Sequence, residues 1–166
     1  MKVDLNADVG ESYGRYTLGL DEELIPLISS ANIACGFHAG DPVVLEKTVG
    51  ICEKAGTAIG AHPGFPDLQG FGRRNMNLSV KEVKAMMLYQ IGAVDAFLHK
   101  NGGKLQHVKP HGALYNMAAK EESLAKAICE AVKEYDKSLI ILAQSSGALY
   151  KEAVKLGLPV RAEVFM

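Results

Sequence analysis

The amino-acid sequence predicts an α/β fold in which parallel strands curl into an incomplete barrel. Short apolar or alternating segments take turns with longer amphipathic segments along all 166 residues. Crossovers long enough to hold a helix are typical of parallel strands. Several of the predicted strands have one polar face, whereas an open sheet covered by helices on both sides requires two apolar faces. Polar groups inside and apolar groups against outer helices favour a barrel.

Six strands are predicted from short apolar or alternating runs. They are Lys2–Asp8, Asn32–Phe37, Thr57–His62, Leu105–Lys109, Leu139–Gln144 and Val160–Phe165. Because successive side chains of a strand point to opposite faces, Asn6 and Asp8 share one face of the first strand. By the same parity His107, Lys109 and His111 share one face of the fourth.

Five helices are predicted between the strands: Glu22–Ser29, Pro42–Lys54, Val80–Lys100, Glu122–Glu134 and Gly147–Lys155. Asp41 is a favourable N-cap before Pro42, whose missing N–H is tolerated at the first helical position. Ser79 and Glu82 have the spacing of a capping box. The third helix carries an apolar stripe at helical spacing, which is expected to pack on the sheet: Val83, Met87, Ile91, Val94 and Leu98.

The number of strands falls short of the eight strands and roughly 250 residues of a typical barrel. The sequence also ends within the apolar segment EVFM. We therefore interpret residues 1–166 as a single barrel-type domain whose C-terminal part is missing, with a naturally shorter open fold as the alternative. An uncovered last strand would need a partner surface, and a second copy of the chain is one candidate.

The composition is that of an ordinary soluble globular protein. Lys and Arg number 18 against 19 Asp and Glu, so the charge gives no reason to expect nucleic acid or an anionic membrane as a partner. Cys35, Cys52 and Cys129 form no CxxC pair, which favours a reducing compartment over a disulfide framework. The chain starts without a signal-like apolar run and has no 18-residue apolar segment, so we expect a cytoplasmic protein.

Three of the five histidines share one local setting. Each lies at the end of a predicted strand and is followed by a glycine, either directly or after one intervening residue. Catalytic groups of barrels and open α/β sheets gather at the carboxyl ends of strands. His38, His62 and His111 are therefore expected to share one catalytic site. Asp8 and Lys109 end the first and fourth predicted strands and belong to the same predicted catalytic group. Because several groups that can titrate near neutral pH are expected there, catalysis is favoured over binding alone.

The two remaining histidines are interpreted as structural. His99 lies at a helix end, where it interacts favourably with the helix dipole. His107 lies deeper in its strand and is expected to make a structural hydrogen bond. Glu11 lies just beyond Asp8 at the same rim.

The segment Pro63–Asn77 is long for a connection and has the character of a binding loop or lid. Arg73 and Arg74 carry planar, permanently charged groups suited to a carboxylate or phosphate, although either one alone can equally be a solvated surface residue. Asp67 either orients an arginine or caps the turn. We assign Asn6, Arg73 and Arg74 to substrate binding.

Nucleotide-binding and covalent-catalysis motifs are absent from the sequence. It contains no GxxxxGK[ST] phosphate loop and no G-x-S-x-G elbow, so the sequence shows neither an ATP site nor a covalent nucleophile.

Four segments in order along the chain, DLNADVGE, SANIACGFHAGDP, GAHPGFPDLQGFGRR and VKPHGALYN, resemble the LamB/YcsF family, that of the A subunits of prokaryotic ATP-dependent 5-oxoprolinases. The resemblance runs over essentially the whole chain. It implies a seven-stranded barrel like that of glycoside hydrolases and polysaccharide deacetylases. It also implies hydrolysis of 5-oxoproline to glutamate driven by ATP, together with two further subunits, B and C.

A mechanism for opening the amide ring follows as a hypothesis. Asp8 with His38 or His62 acts as the general base on water. Lys109 and His111 face the developing oxyanion. The partner subunits use ATP to activate the lactam oxygen.

The substrate carboxylate is expected to form a bidentate pair with Arg73. One alternative is a metal-dependent, deacetylase-like hydrolase with Asp8, His38 and His62 as ligands of a divalent metal. Another alternative is a protein that binds the ligand without chemistry of its own.

Overall fold

The computed structural model describes residues 3–164, in which parallel strands alternate with helices. The strands are β1 (Asn6–Val9), β2 (Ser30–Ala34), β3 (Ala58–His62), β4 (His107–Val108), β5 (Ile140–Gln144) and β6 (Val160–Glu163). The α-helices are α1 (Asp21–Leu24), α2 (Pro42–Ala55), α3 (Val80–Lys100), α4 (Gly112–Ala118), α5 (Glu122–Tyr135) and α6 (Ala148–Lys155). The predicted α/β class is confirmed.

The six strands form one parallel sheet in the order β1-β2-β3-β4-β5-β6. Because parallel crossovers are right-handed, strands added one after another in the same direction put all their helices on the same face of the sheet. The other face is the concave side of a half-barrel. The register aligns Asp8 with Asn32, Asn32 with Gly60, and Gly60 with His107, so polar side chains of neighbouring strands meet on the concave side.

The hydrophobic core lies between the sheet and its helices. All five residues of the stripe predicted on α3 are buried, and buried residues of α5 such as Ile128 and Val132 belong to the same core cluster. Both predicted helix starts are confirmed. The Asp41 carboxylate accepts hydrogen bonds from Val43 N and Val44 N, and Ser79 and Glu82 form the capping box.

The predicted helix Glu22–Ser29 is wrong. The chain instead forms the short α1, then a 3-10 turn, Ile25–Leu27, and enters β2 at Ser30. Pro26 has no backbone N–H and cannot continue an α-helical ladder. The second strand consequently starts and ends earlier than predicted, at Ser30–Ala34.

The fourth strand contains only two residues, fewer than the predicted Leu105–Lys109. Pro110 ends the ladder because it lacks an N–H, and His111 then starts the helix α4, which was not predicted. The end residues Lys2 and Phe165 of two predicted strands lie outside the described residues.

Candidate active site

The carboxyl ends of β1 to β4 bring the three predicted histidines together at the rim of the half-barrel. The rings of His38 and His111 stack in parallel with centroids 3.6 Å apart. The ring of His62 is perpendicular to both, at centroid distances of 5.4 Å and 4.8 Å. Asp8 and Lys109 lie beside His62, so residues from four strand ends surround one small volume.

A sharp turn after β1 adds Glu11 to this group. Gly10 has a left-handed φ of 70°, a backbone conformation that residues other than glycine rarely adopt. This conformation reverses the direction of the chain. A Cβ on Gly10 would also lie 3.2 Å from the Thr48 hydroxyl. The turn places Glu11 Oε1 at 3.2 Å from His38 Nε2 and at 3.7 Å from His111 Nδ1.

The loop before α3 folds over the imidazoles. A Cβ on Gly72 would lie 2.7 Å from the Cβ of His38 and 2.8 Å from Cδ2 of His111, so only glycine allows this close approach. Phe71 is the non-glycine residue with positive φ in the described chain, at 53°, a strained conformation that often accompanies functional sites. Its carbonyl oxygen lies 2.9 Å from His111 Nε2.

Backbone carbonyls determine which ring nitrogens of two histidines carry the proton. His62 Nδ1 lies 2.6 Å from the carbonyl oxygen of Lys109, and His111 Nε2 faces the carbonyl of Phe71. Since a carbonyl only accepts, both of these nitrogens must donate. The other nitrogens, His62 Nε2 and His111 Nδ1, lie 3.0 Å apart and face each other.

The third imidazole is completely buried. The side chain of His38 is 0% exposed, and its Nδ1 has no hydrogen-bond partner among residues 3–164. Its Nε2 points to Glu11.

A charged pair adjoins the histidines. Asp8 Oδ1 accepts hydrogen bonds from Lys109 Nζ at 3.1 Å and from Asn32 Nδ2 at 2.7 Å, and Asp8 Oδ2 lies 3.3 Å from His62 Nε2. Glu163 of β6 lies 3.7 Å from the same lysine. Lys109 thus stands between two carboxylates.

Burial and neighbouring charges separate the pKa values of these groups. Burial raises the pKa of Asp8, but the charges of His62 and Lys109 and the hydrogen bonds to Asp8 outweigh it and hold the pKa well below the usual range. Burial raises the pKa of Glu11. Burial, together with neighbouring imidazoles, lowers the pKa of His38 to about 2 and that of His111 to about 3, so these two rings are neutral at physiological pH.

Four of these side chains form a group that can hold a metal ion. One ligand atom each from Glu11, His38, His62 and His111 lies within 4.8 Å of the others. The metal set predicted from the sequence contained Asp8 with His38 and His62. The group in the structure contains Glu11 in place of Asp8, and adds His111.

Deeper inside the half-barrel, amide and imidazole groups form a hydrogen-bonded ladder. Asn6 Nδ2 donates to Ser30 Oγ at 2.8 Å and to Asn32 Oδ1 at 3.1 Å, and His107 Nε2 donates to the same Asn32 oxygen at 2.7 Å. His107 has the structural hydrogen bond that the sequence indicated. Asn6, assigned to substrate binding, is occupied by this ladder.

The two neighbouring arginines differ. Arg74 forms hydrogen bonds and an ion pair with the buried Asp67 carboxylate, which also accepts from the backbone N–H of Gly70. The Arg73 side chain is exposed and makes no hydrogen bond or ion pair within the described residues, yet it lies close enough to influence the pKa of Glu11. Of the two, Arg73 is the one available to a ligand at the rim.

Sequence reasoning understated Glu11 and missed the carbonyl of Phe71. The signal for Glu11 was Gly10 directly after a strand, because a left-handed turn there returns the following side chain to the rim. No sequence signal identifies Phe71, because its contribution is a backbone oxygen in a strained conformation.

Within residues 3–164 the structure contains no helix with the length and apolarity needed to cross a membrane. The model of the LamB/YcsF family matches residues 3–166. The chain is 62% identical over 164 residues to the A subunit of 5-oxoprolinase from Clostridium beijerinckii, covering 99% of this chain and 64% of that protein. It is 54% identical over 165 residues to the A subunit of 5-oxoprolinase from Pyrococcus abyssi, covering 99% of this chain and 65% of that protein.

Among solved structures, the lactam utilization protein of Thermus thermophilus is similar, with a TM-score of 0.97 and 54% sequence identity. The match covers 99% of this chain and 67% of that one. The chain thus spans about two thirds of the length of these relatives.

Proposed function

The chain belongs to the LamB/YcsF family, and from this we infer that it acts as the A-type component of a 5-oxoprolinase, hydrolysing 5-oxoproline to glutamate in a reaction driven by ATP. The names of the two relatives with 62% and 54% identity support this substrate. The observation that carries the enzymatic part is the convergence of three imidazoles, two carboxylates and a lysine at one rim.

Hydrolysis requires water to add to the lactam carbonyl carbon, its proton to pass to a base, and the C–N bond to break as the nitrogen gains a proton. We assign the base to Glu11, whose pKa burial raises and whose side chain is 16% exposed. Asp8 and His38 are weaker candidates, because the pKa of each is held low. This assignment differs from the Asp8 and histidine base expected from the sequence.

We assign the stabilisation of the developing oxyanion to Lys109. Its ammonium group is held by the Asp8 carboxylate at 3.1 Å in a largely buried position, where a fixed positive charge acts more strongly than in water. His111 Nδ1 has a lone pair and cannot donate to an oxyanion in the neutral form. Its assigned role is therefore to shape the site beside Glu11.

We assign the binding of the substrate carboxylate to Arg73. The Arg73 side chain is exposed, and its Cδ would lie 3.3 Å from a Cβ on Gly112, the first residue of α4. A planar guanidinium binds a carboxylate through two parallel hydrogen bonds. Arg74 is not assigned to the substrate, because Asp67 already occupies it.

ATP is assigned to partner subunits, B and C, which would activate the lactam oxygen before this chain hydrolyses the ring. The absence of a phosphate loop from the sequence supports this division. The described structure contains three free, buried cysteines, which suits the reducing cytoplasm.

The direct test is 5-oxoproline-dependent release of glutamate by this chain with and without subunits B and C. We expect release only when the chain, both partners and ATP are together, and no ATP turnover by the chain alone. Robust ATP turnover by the pure chain would contradict the division of labour. Full glutamate release by subunits B and C without this chain would contradict its catalytic role.

The second candidate is a metal-dependent, deacetylase-like hydrolase, favoured by the ligand geometry of Glu11 and the three histidines. It predicts release of acetate from an N-acetylated sugar by the zinc-loaded chain without ATP or partners. An identical assay with 5-oxoproline separates the two activities.

A further inference from the structure

We infer that His38, His62 and His111 bind one divalent metal ion, with Glu11 beside the fourth coordination position. His62 Nε2 and His111 Nδ1 lie 3.0 Å apart, and Glu11 Oε1 lies 3.2 Å from His38 Nε2 and 3.7 Å from His111 Nδ1. One atom from each of the four side chains lies within 4.8 Å of the others. In a tetrahedral zinc site with bonds of about 2.0–2.1 Å, ligand atoms lie about 3.3 Å apart. The side chains are thus already spaced for one ion.

The hydrogen bonds of two histidines leave a place for a cation. The backbone carbonyls of Lys109 and Phe71 accept hydrogen bonds from the N–H groups of His62 and His111, respectively. His62 Nε2 and His111 Nδ1 then lie 3.0 Å apart, with Asp8 Oδ2 at 3.3 Å from His62 Nε2. If both rings are neutral, the lone pairs of these two nitrogens face each other. Such an arrangement is repulsive unless a proton or a metal ion lies between the nitrogens. Carbonyls that fix the outer N–H of a histidine are a usual support of metal ligands.

The metal explains the arrangement better than a proton. A proton on His62 Nε2 would be shared only with Asp8 Oδ2 at 3.3 Å and His111 Nδ1 at 3.0 Å. A shared proton also leaves His38 without a role, although its completely buried Nε2 points to the same group. An ion uses all three nitrogens.

The donor set indicates the class of metal. Three imidazoles and a carboxylate suit Zn²⁺ and similar borderline ions, and three histidine ligands with an open position are typical of catalytic zinc. Glu11 is the most exposed of the four side chains and lies where a metal-bound water would be reached. When bound, such an ion lowers the pKa of its water and polarises a carbonyl.

The test measures metal binding by this chain, without any assay of activity. The protein is freed of metal with a chelator, dialysed, and titrated with Zn²⁺ in competition with a chromophoric chelator. We expect one equivalent bound by the wild type, and at least about 100-fold weaker binding by His62→Ala and His111→Ala. His99→Ala removes an exposed histidine at the end of α3 and is the matched control, with unchanged binding.

Circular dichroism establishes that each variant is folded. Glu11→Gln is a second, nearly isosteric variant, and we expect it to alter zinc binding by about tenfold or less, because Glu11 is placed beside the metal-bound water and not among the three ligands. Co²⁺ in place of Zn²⁺ should give visible absorption bands that His62→Ala loses. Equal, weak binding by wild type and His62→Ala would overturn the inference in favour of a shared proton.

The inference concerns the site of the proposed hydrolysis but does not depend on its substrate. Stoichiometric zinc without glutamate release in the reconstituted complex supports the metal site and contradicts the proposed function. Full glutamate release by metal-free protein supports the proposed function, and the metal site is then decided by the zinc titration alone.

Discussion

Two groups of buried histidine differ in this half-barrel, although both lie on the concave face of the sheet. His107 lies in the hydrogen-bonded ladder of the interior, where its Nε2 donates to Asn32. Its Nδ1 lies 3.2 Å from the side-chain amide of Gln106, and that amide can present either its oxygen or its nitrogen. At the rim, backbone carbonyls accept hydrogen bonds from the outer nitrogens of His62 and His111. The inner nitrogens lie 3.0 Å apart, and Asp8 Oδ2 lies 3.3 Å from the one on His62. Burial is the same in both places, and hydrogen bonding is not.

The difference indicates how a structural histidine can be told from a functional one. A buried polar group without a partner costs free energy, so a fold retains it only where something else compensates. The ladder around His107 needs nothing beyond the chain. The rim is incomplete without a proton, a metal ion or a ligand.

The largest expected effect is the loss of activity when the rim is disrupted. His62→Ala removes the ring that contacts both Asp8 and His111. Because its loss misplaces the groups around the proposed base Glu11, we expect glutamate release by the complex with subunits B and C to fall by about 10²-fold. The measurement is kcat at saturating 5-oxoproline. A change confined to KM would show that His62 only binds substrate, and would place the rim in the same class as an ordinary ligand-binding surface.

The second effect tests the interior. His107→Ala leaves Asn32 without one hydrogen bond and opens a cavity, and we expect the free energy of unfolding to fall by about 2–4 kcal/mol. Urea denaturation measures the change, and zinc binding at the rim should be retained by the folded fraction. A variant of unchanged stability that has lost zinc would show that His107 serves the rim.

The sequence predicted most of this contrast through strand parity. Alternation in DLNAD and HVK put Asn6, Asp8, His107 and Lys109 on one face, and the structural hydrogen bond expected for His107 is present. Parity works because the pleat is a property of the backbone alone. It could not show that Glu11 joins the histidines, because that depends on the turn at Gly10 and on contacts between segments far apart in sequence.

Local signals also failed where proline acts. Pro26 and Pro110 shortened one predicted helix and one predicted strand, since each removes an N–H from a ladder. The position of Phe71 depends on the whole loop packing over the imidazoles, which no short pattern encodes.

The two arginines of the loop repeat the contrast on a smaller scale. Arg74 is satisfied by Asp67, while Arg73 has no polar side-chain partner among the described residues. We expect Arg73→Ala to raise KM for 5-oxoproline by about 10–100-fold with a smaller change in kcat, because a carboxylate clamp acts in ground and transition states alike. Arg74→Ala is the matched control, and an equal rise in KM for both variants would remove the distinction between them.

The smallest expected effect concerns the pH dependence of stability at the satisfied arginine. Hydrogen bonds from Arg74 lower the pKa of Asp67 to about 2, below its value of about 3.9 in an unfolded chain. The pair therefore stabilises the fold above about pH 4, and this contribution is lost as the pH falls toward 2. We expect urea midpoints to differ more between wild type and Arg74→Ala at pH 6 than at pH 3. Since Arg74 is 62% exposed at its side chain and exposed pairs are screened by water and salt, the difference should be small and should shrink further in 1 M NaCl. A gap that stays the same between pH 6 and pH 3 would mean that the backbone N–H groups of the loop hold Asp67 and that Arg74 is as free as its neighbour.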